Sequence, residues 1–246
     1  MSAETRPHDP LGATARWTAA VRAGEHGRPD ALIDDPWAEL LAGEDGLAWL
    51  AGRTPESVVP IVIRTRYFDD WLRSVAIEGS LRQVVLLGAG LDTRAWRLPW
   101  PAGTTLYEVD RRGTLASKTG ELALAGAVAG CDRRAVDGDL AGDWGSRLVA
   151  AGFDPTRPAA WLAEGILFYL PDPVVAAVLA TVTAFAAPGS RLGFDIPNRA
   201  VLASPYTRAW IEMQAAAGAP WLGTLDDPGE TLRALGWAAS VAQPGE

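Results

Sequence analysis

The sequence predicts an α/β protein built on an open, mostly parallel sheet with helices on both faces. Three observations carry that prediction. Val84-Val85-Leu86-Leu87 is a continuous apolar run that stops at Gly88-Ala89-Gly90. Such a run reads as a strand buried on both faces, as in a parallel sheet. Strand-like and helix-like segments then alternate from residue 83 to residue 241. A second strand, residues 105–109, closes on Asp110, twenty positions after Gly90. At that spacing a strand-tip acid can accept from a ribose diol held over a glycine turn.

Taken in order, residues 1–12 read as disordered and residues 13–23 as a helix with Trp17, Ala20 and Val21 on one face. Asp35 before Pro36 predicts a helix capped by Asp35, with Pro36 at its first position, running to about Leu50. Thr54-Pro55-Glu56 opens a long helical stretch toward Gly79, with Pro60 as a candidate break. After the first strand, Asp92-Thr93 predicts a short helix whose free N–H groups face the glycine loop. Residues 111–125 read as a helix, 132–140 as mixed strand and loop, and 144–151 as a short helix. Residues 159–163 form a fourth, buried strand ending at Glu164. Pro171-Asp172-Pro173 starts a helix over 174–186, and 190–196 reads as a fifth strand. Residues 198–217 and 228–235 read as helices, and 237–241 as a candidate sixth strand. Residues 1–80 are expected to be a helical cap over the mouth of the sheet. Residues 81–246 are expected to form the ligand-binding unit, the whole making one compact body.

A chain of 246 residues suffices for one α/β domain with a sizeable core. A net charge of −8 and the lack of any basic tract argue against a nucleic-acid partner. The single Cys131 excludes an internal disulfide and fits a reducing compartment. Only two histidines, His8 and His26, and no Cys-x-x-Cys pair argue against a metal site. The opening MSAETRPHDP lacks a signal pattern. The longest apolar run, residues 174–187, is about two-thirds of a membrane span. The expectation is a soluble, cytoplasmic protein with no membrane partner.

The glycine loop supports a nucleoside-containing cofactor. Thr93 stands where a dinucleotide fingerprint has its third glycine. A pyrophosphate needs the close helix approach which that glycine provides, so Thr93 shifts the balance toward S-adenosylmethionine. A tight turn with no ligand is the plain alternative. Asp92, Asp110, Asp139 and Glu164 all fall at or just past strand ends. Singly, each reads as a solvated acid or a helix cap; together at one sheet mouth they suggest a polar ligand. For an adenosine ligand, Asp110 takes the ribose hydroxyls, Asp139 the adenine amino group and Glu164 the cationic end. Arg64 and Arg66 precede the first strand, and either can grip a ligand carboxylate. Ion pairing with Asp69 or Asp70 at helical spacing explains them equally well. Tyr169, Tyr206, Trp210 and the other tryptophans serve as core or as pocket lining. His8 and His26 lie in loop-like sequence, and Cys131 reads as structural.

Several blocks in fixed order carry a family resemblance. They are RPDALIDDPWAELLAG, IRTRYFDDWL, VVLLGAGLDTRAWRL, LYEVDRRGTLASK, GFDPTRPAAWLAEGILFYLP and PGSRLGFD. With these the chain resembles the leucine carboxyl methyltransferase-like family of S-adenosylmethionine-dependent methyltransferases over residues 14–240, including its actinobacterial secondary-metabolite branch. The resemblance implies a Rossmann-like class I methyltransferase fold. It implies that Arg64 holds the methionine carboxylate, that Gly88, Ala89 and Gly90 form the backbone cradle, and that Asp110 binds the ribose. Asp139 and Leu140 match the pair beside adenine, and Glu164 an acid near the methionyl part. Tyr169 matches a residue near the substrate and is the candidate catalytic residue. Arg16 or Arg22 matches an N-terminal basic residue that touches the cofactor.

Two departures stand out. The family commonly has Asp-Leu-Arg where this chain has Asp139-Leu140-Ala141. In carboxyl-methylating relatives that arginine lies near the substrate carboxylate, so Ala141 points away from an acid substrate. Relatives also continue into a final strand soon after GWAASVAQ: here the chain is trimmed, the edge is completed by a partner, or the strand is lost, and an exposed edge favours a homodimer or aggregation. The function implied is O-methylation of a small-molecule carboxylate or hydroxyl, in secondary metabolism such as polyketide biosynthesis. Ala141 and the missing strand motivate a second reading, a repurposed fold that cyclises or isomerises a natural-product intermediate. A non-catalytic partner subunit is the third.

Overall fold

The structure, a computed structural model, describes residues 10–243. Three helices come first: α1 (Pro10–Glu25), α2 (Ala38–Ala51) and α3 (Pro55–Leu72). A π-helical turn, Arg73–Ile77, follows. Then come β1 (Gln83–Leu87), the short α4 (Arg94–Arg97), β2 (Thr105–Asp110) and α5 (Arg112–Leu124). They lead to β3 (Asp132–Asp137), α6 (Trp144–Ala150) and β4 (Ala159–Ala163). A single 3-10 turn, Leu167–Tyr169, precedes α7 (Asp172–Phe185) and β5 (Arg191–Phe194). The described chain closes with α8 (Arg199–Ala203), α9 (Arg208–Ala216) and α10 (Pro228–Ala234).

The five strands form one all-parallel sheet in the order β3-β2-β1-β4-β5. This is a Rossmann-like arrangement, and it explains the apolar run. All five residues of central β1 are buried. Val84 and Leu86 pack toward Leu72 and Ala76 on one face, and Val85 and Leu87 toward Leu148, Val178 and Val182 on the other. The chain leaves β1 toward β2 and β3, then returns to lay β4 on the opposite side of β1. The crevice of such a sheet opens at that reversal, outside the carboxyl ends of β1 and β4. Charges lie within the fold as well: Glu108 of β2, fully buried, meets the equally buried Lys118 at 2.9 Å and Arg133 at 2.6 Å.

The structure corrects several expectations. No strand forms over residues 237–241, and β5 is an edge of the described sheet. Trp237 instead anchors that segment to helices: its indole donates to Thr183 Oγ1 at 2.9 Å and its backbone N–H to Leu232 O at 3.0 Å. Residues 198–217 form two helices, because Ser204 precedes Pro205 and is extended at ψ 134°. α2 starts at Ala38, two residues beyond Pro36, and is divided at Gly43, where φ is 61°. α3 continues unbroken through Pro60, and with the π-helical turn the helical stretch runs to Ile77, near Gly79 as expected. Residues 10–12 are helical; residues 1–9, His8 among them, lie outside the described residues. No described helix is long and apolar enough to cross a membrane.

Candidate active site

The loop after β1 is shaped by two left-handed glycines, Gly88 at φ 63° and Gly90 at φ 45°. A side-chain carbon on Gly88 would come within 2.4 Å of Ile166, so this glycine also lets the loop after β4 close in. Gly88 donates to Val109 O at 2.9 Å, and Gly90 donates to Asp110 Oδ2 at 2.7 Å. The two ends of the glycine-to-acid spacing are therefore directly bonded. Asp110 Oδ1 accepts from the N–H of Arg111 at 2.6 Å. Burial pushes the Asp110 carboxyl above its ordinary value, against the pull of those two N–H groups.

Opposite this loop, at the tip of β4, Glu164 sits in a web of guanidinium groups. Its Oε1 accepts from Arg64 Nε at 3.1 Å, and its Oε2 from Arg94 Nη2 at 2.7 Å. Arg64 also reaches Asp195, just past β5, at 3.4 Å. Arg94 is 2% exposed and additionally donates to Asp69 and Asp92, each at 2.6 Å. Arg97 makes a two-pronged pair with the same Asp69. Arg22 pairs with buried Asp35 at 2.8 Å and donates to Leu91 O at 2.8 Å. Thr93 donates to Asp35 as well, so the acid expected to be a helix cap also ties α1 to the glycine loop.

These groups surround one cavity of about 300 Å³, within the range of small-molecule sites. Gly88, Ala89, Gly90 and Asp110 line it on the β1–β2 side, and Asp139 and Leu140 continue that wall. Arg64, Glu164 and Tyr169 line the β4 side. The structure thus brings Arg64, Gly88, Ala89, Gly90, Asp110, Asp139, Leu140, Glu164 and Tyr169 to one cavity. The arginine pair separates: Arg66 makes a surface pair with Asp70 at 2.7 Å, while Arg64 faces the cavity. Of the two N-terminal candidates, Arg22 lines the cavity, and Arg16 bonds Leu41 O. Tyr206 is 96% exposed, and His26 pairs with Asp34 outside the cavity. Burial pushes the Cys131 thiol up to about 12, in keeping with an inert structural residue.

Sequence reasoning missed Arg94, Asp195 and Gln214. Asp195 follows the same rule as Asp110 and Glu164, an acid just past a parallel strand. Arg94 had a weaker signal, an arginine opening the helix after the glycine loop. Gln214 had none.

Known proteins settle the family. The leucine carboxyl methyltransferase family matches residues 15–183. A candidate S-adenosyl-L-methionine-dependent methyltransferase from Mycolicibacterium gilvum is 40% identical over 253 residues, covering 94% of this chain and 84% of its own. One with the same description from Saccharopolyspora erythraea is 41% identical over 247 residues, covering 92% and 83%.

The chain belongs to the leucine carboxyl methyltransferase family.

It is accordingly an S-adenosylmethionine-dependent methyltransferase. A crystal structure of a candidate methyltransferase from Thermobifida fusca is similar in fold to this leucine carboxyl methyltransferase family member. Its TM-score is 0.61 at 19% identity, covering 94% of this chain and 82% of that one.

Proposed function

We propose that the protein transfers a methyl group from S-adenosylmethionine to an oxygen of a small molecule, a carboxylate or hydroxyl of secondary metabolism. The observation that carries this reading is the Gly90–Asp110 bond at the sheet's reversal point, facing Arg64 and Glu164 across one cavity. Those residues fit the cofactor. A side-chain carbon on Gly90 would meet nothing nearer than Ala15 at 3.4 Å, so a ligand can lie close to the backbone there.

The cofactor, when bound, supplies a methyl already activated by a sulfonium. Asp110 keeps lone pairs beyond its two N–H contacts, enough for two ribose hydroxyls. Leu140 offers an apolar surface to adenine, and Asp139 beside it accepts from the amino group. Glu164 accepts from the ligand's ammonium. Arg64 Nη2 makes no hydrogen bond among the described residues and is the donor left for the ligand carboxylate.

Burial raises the Tyr169 phenol above its ordinary value, although Thr14 and Arg64 pull the other way. Tyr169 therefore stays protonated and orients the acceptor oxygen as an O–H donor rather than a base. α1, α2 and α3 bring Thr14, Trp17, Trp49 and Arg64 to the walls. The described part of residues 1–80, from residue 10 on, reads on that basis as a covering segment that excludes water and aligns oxygen, carbon and sulfur.

Incubation with S-adenosylmethionine and candidate acceptors, read by mass spectrometry, tests the reading. The expected product gains one CH2 unit. A product of unchanged mass and altered skeleton would instead support cyclisation or isomerisation.

A further inference from the structure

One end of the cavity is built differently from the end that faces the glycine loop. Trp17 and Trp49 stack with ring centroids 5.0 Å apart, and Trp210 meets Trp49 edge-on at 6.5 Å. Phe168 and Trp221, 4.5 Å apart, are also part of the lining. Gln214 lies one turn beyond Trp210 on α9 and lines the same cavity. It is 3% exposed, and its Oε1 is buried with no hydrogen-bond partner among the described residues. The buried Nε1 of Trp49 is likewise without a partner. Trp221 Nε1 and Arg97 Nε, in residues that line the same cavity, are unmatched as well, and buried polar atoms left without partners are an unmet demand for a ligand.

The Gln214 amide oxygen and the two unmatched indoles, of Trp49 and Trp221, are complementary in kind. Gln214 Oε1 accepts only, and the Trp49 indole donates only. A partner that satisfies both carries a hydroxyl hydrogen and an acceptor oxygen. Flat aromatic walls select a planar ring. The cavity's cations are already engaged: Arg22 with Asp35, Arg94 with three carboxylates and Arg97 with Asp69. Arg64 Nη2 makes no hydrogen bond among the described residues, and the cofactor's carboxylate claims it; the unmatched Arg97 Nε is buried 3.9 Å from Asp35, and Arg111 follows Asp110 at the ribose-facing end. Arg53 lies over the Trp49 ring at 4.8 Å but does not line the cavity.

We infer that the acceptor is an uncharged, planar aromatic molecule bearing a hydroxyl and a carbonyl oxygen, held by Gln214 and the Trp49 indole N–H against this aromatic wall. This rests on the methyl-transfer reading above and narrows it, away from carboxylates. Gln214 and Trp49 determine which molecule is taken and leave cofactor binding alone.

The test is calorimetry on the protein saturated with S-adenosylhomocysteine. Two probes are compared: 4-hydroxyacetophenone, a neutral ring with a hydroxyl and a carbonyl, and its anionic counterpart 4-hydroxybenzoate. The neutral ketone is expected to bind at least about tenfold more tightly. Gln214→Met and Trp49→Phe are each expected to weaken it about tenfold, with S-adenosylhomocysteine affinity unchanged in both. Should one variant not fold, the other still decides. Tighter binding of 4-hydroxybenzoate, no binding of the ketone, or full ketone affinity in a folded variant would overturn the inference. Failure of S-adenosylhomocysteine to bind the unaltered protein would instead contradict the methyl-transfer reading, and the inference with it.

Discussion

Arg94 Nη2 donates to Glu164 Oε2 at 2.7 Å, joining residues seventy positions apart. The same guanidinium holds Asp69 of α3 through Nε and Asp92 of the glycine loop through Nη1. One side chain thus fixes α3, the loop after β1 and the tip of β4 relative to one another.

Arg94→Met would leave Glu164, Asp69 and Asp92 short of a buried partner. Breaking a buried ion pair costs about 3–5 kcal/mol. We expect that loss in urea unfolding, together with weaker S-adenosylhomocysteine binding, because Glu164 loses its fixed position. Arg94→Lys keeps the charge but not the three-way fork, and should recover only part of both.

Asp69 should make the protein acid-sensitive. Burial alone would push its carboxyl up, but Arg94 and Arg97 outweigh burial and bring it from 3.8 to about 2. The folded state therefore favours the carboxylate. Its contribution is complete above the unfolded value, and it is lost as pH falls toward 2. The difference amounts to about 2 kcal/mol. Urea unfolding of the unaltered protein and of Asp69→Asn, followed from pH 6 downward, should show a shallower acid loss in the variant.

Asp110 behaves in the opposite sense. Its raised value means that it takes up a proton more readily than an ordinary aspartate. A protonated carboxyl accepts fewer hydrogen bonds. Cofactor affinity should begin to fall, as pH is lowered, while an exposed aspartate would still be ionised. Affinity measured against pH checks this, and a flat profile down to pH 4 would refute it.

Lys118 is fully buried, pairs with Glu108 and donates to Asp92 O at 2.9 Å. Lys118→Met removes one of the two cations at Glu108, leaving Arg133. The expected cost is about 3 kcal/mol in urea unfolding, at the lower end for a buried pair because Arg133 stays.

Much of this fold was legible because central strands advertise themselves. β1 and β4 are buried at every position, so they read as unbroken apolar runs. The acids at strand tips were legible for the same reason, since strand ends locate the mouth. Residues 237–241 misled because their apolar pattern is used by Trp237 to dock on α7 and α10, with no strand beside β5. Arg94 was only faintly legible because its partners come from residues 69, 92 and 164, which only the folded chain brings together. Gln214 was illegible because an unmatched amide shows itself only once its surroundings are known.

The most direct measurement is calorimetry of S-adenosylhomocysteine binding to the unaltered protein, to Asp110→Ala and to Gly90→Val. Gly90 sits at φ 45°, where a branched side chain is strained, and faces the cavity. One site per chain is expected in the unaltered protein, with affinity lowered about a hundredfold or more in both variants, for loss of the ribose contacts and of backbone access. Equal affinity in all three proteins would contradict the placement of the cofactor at the end of β1 and β2.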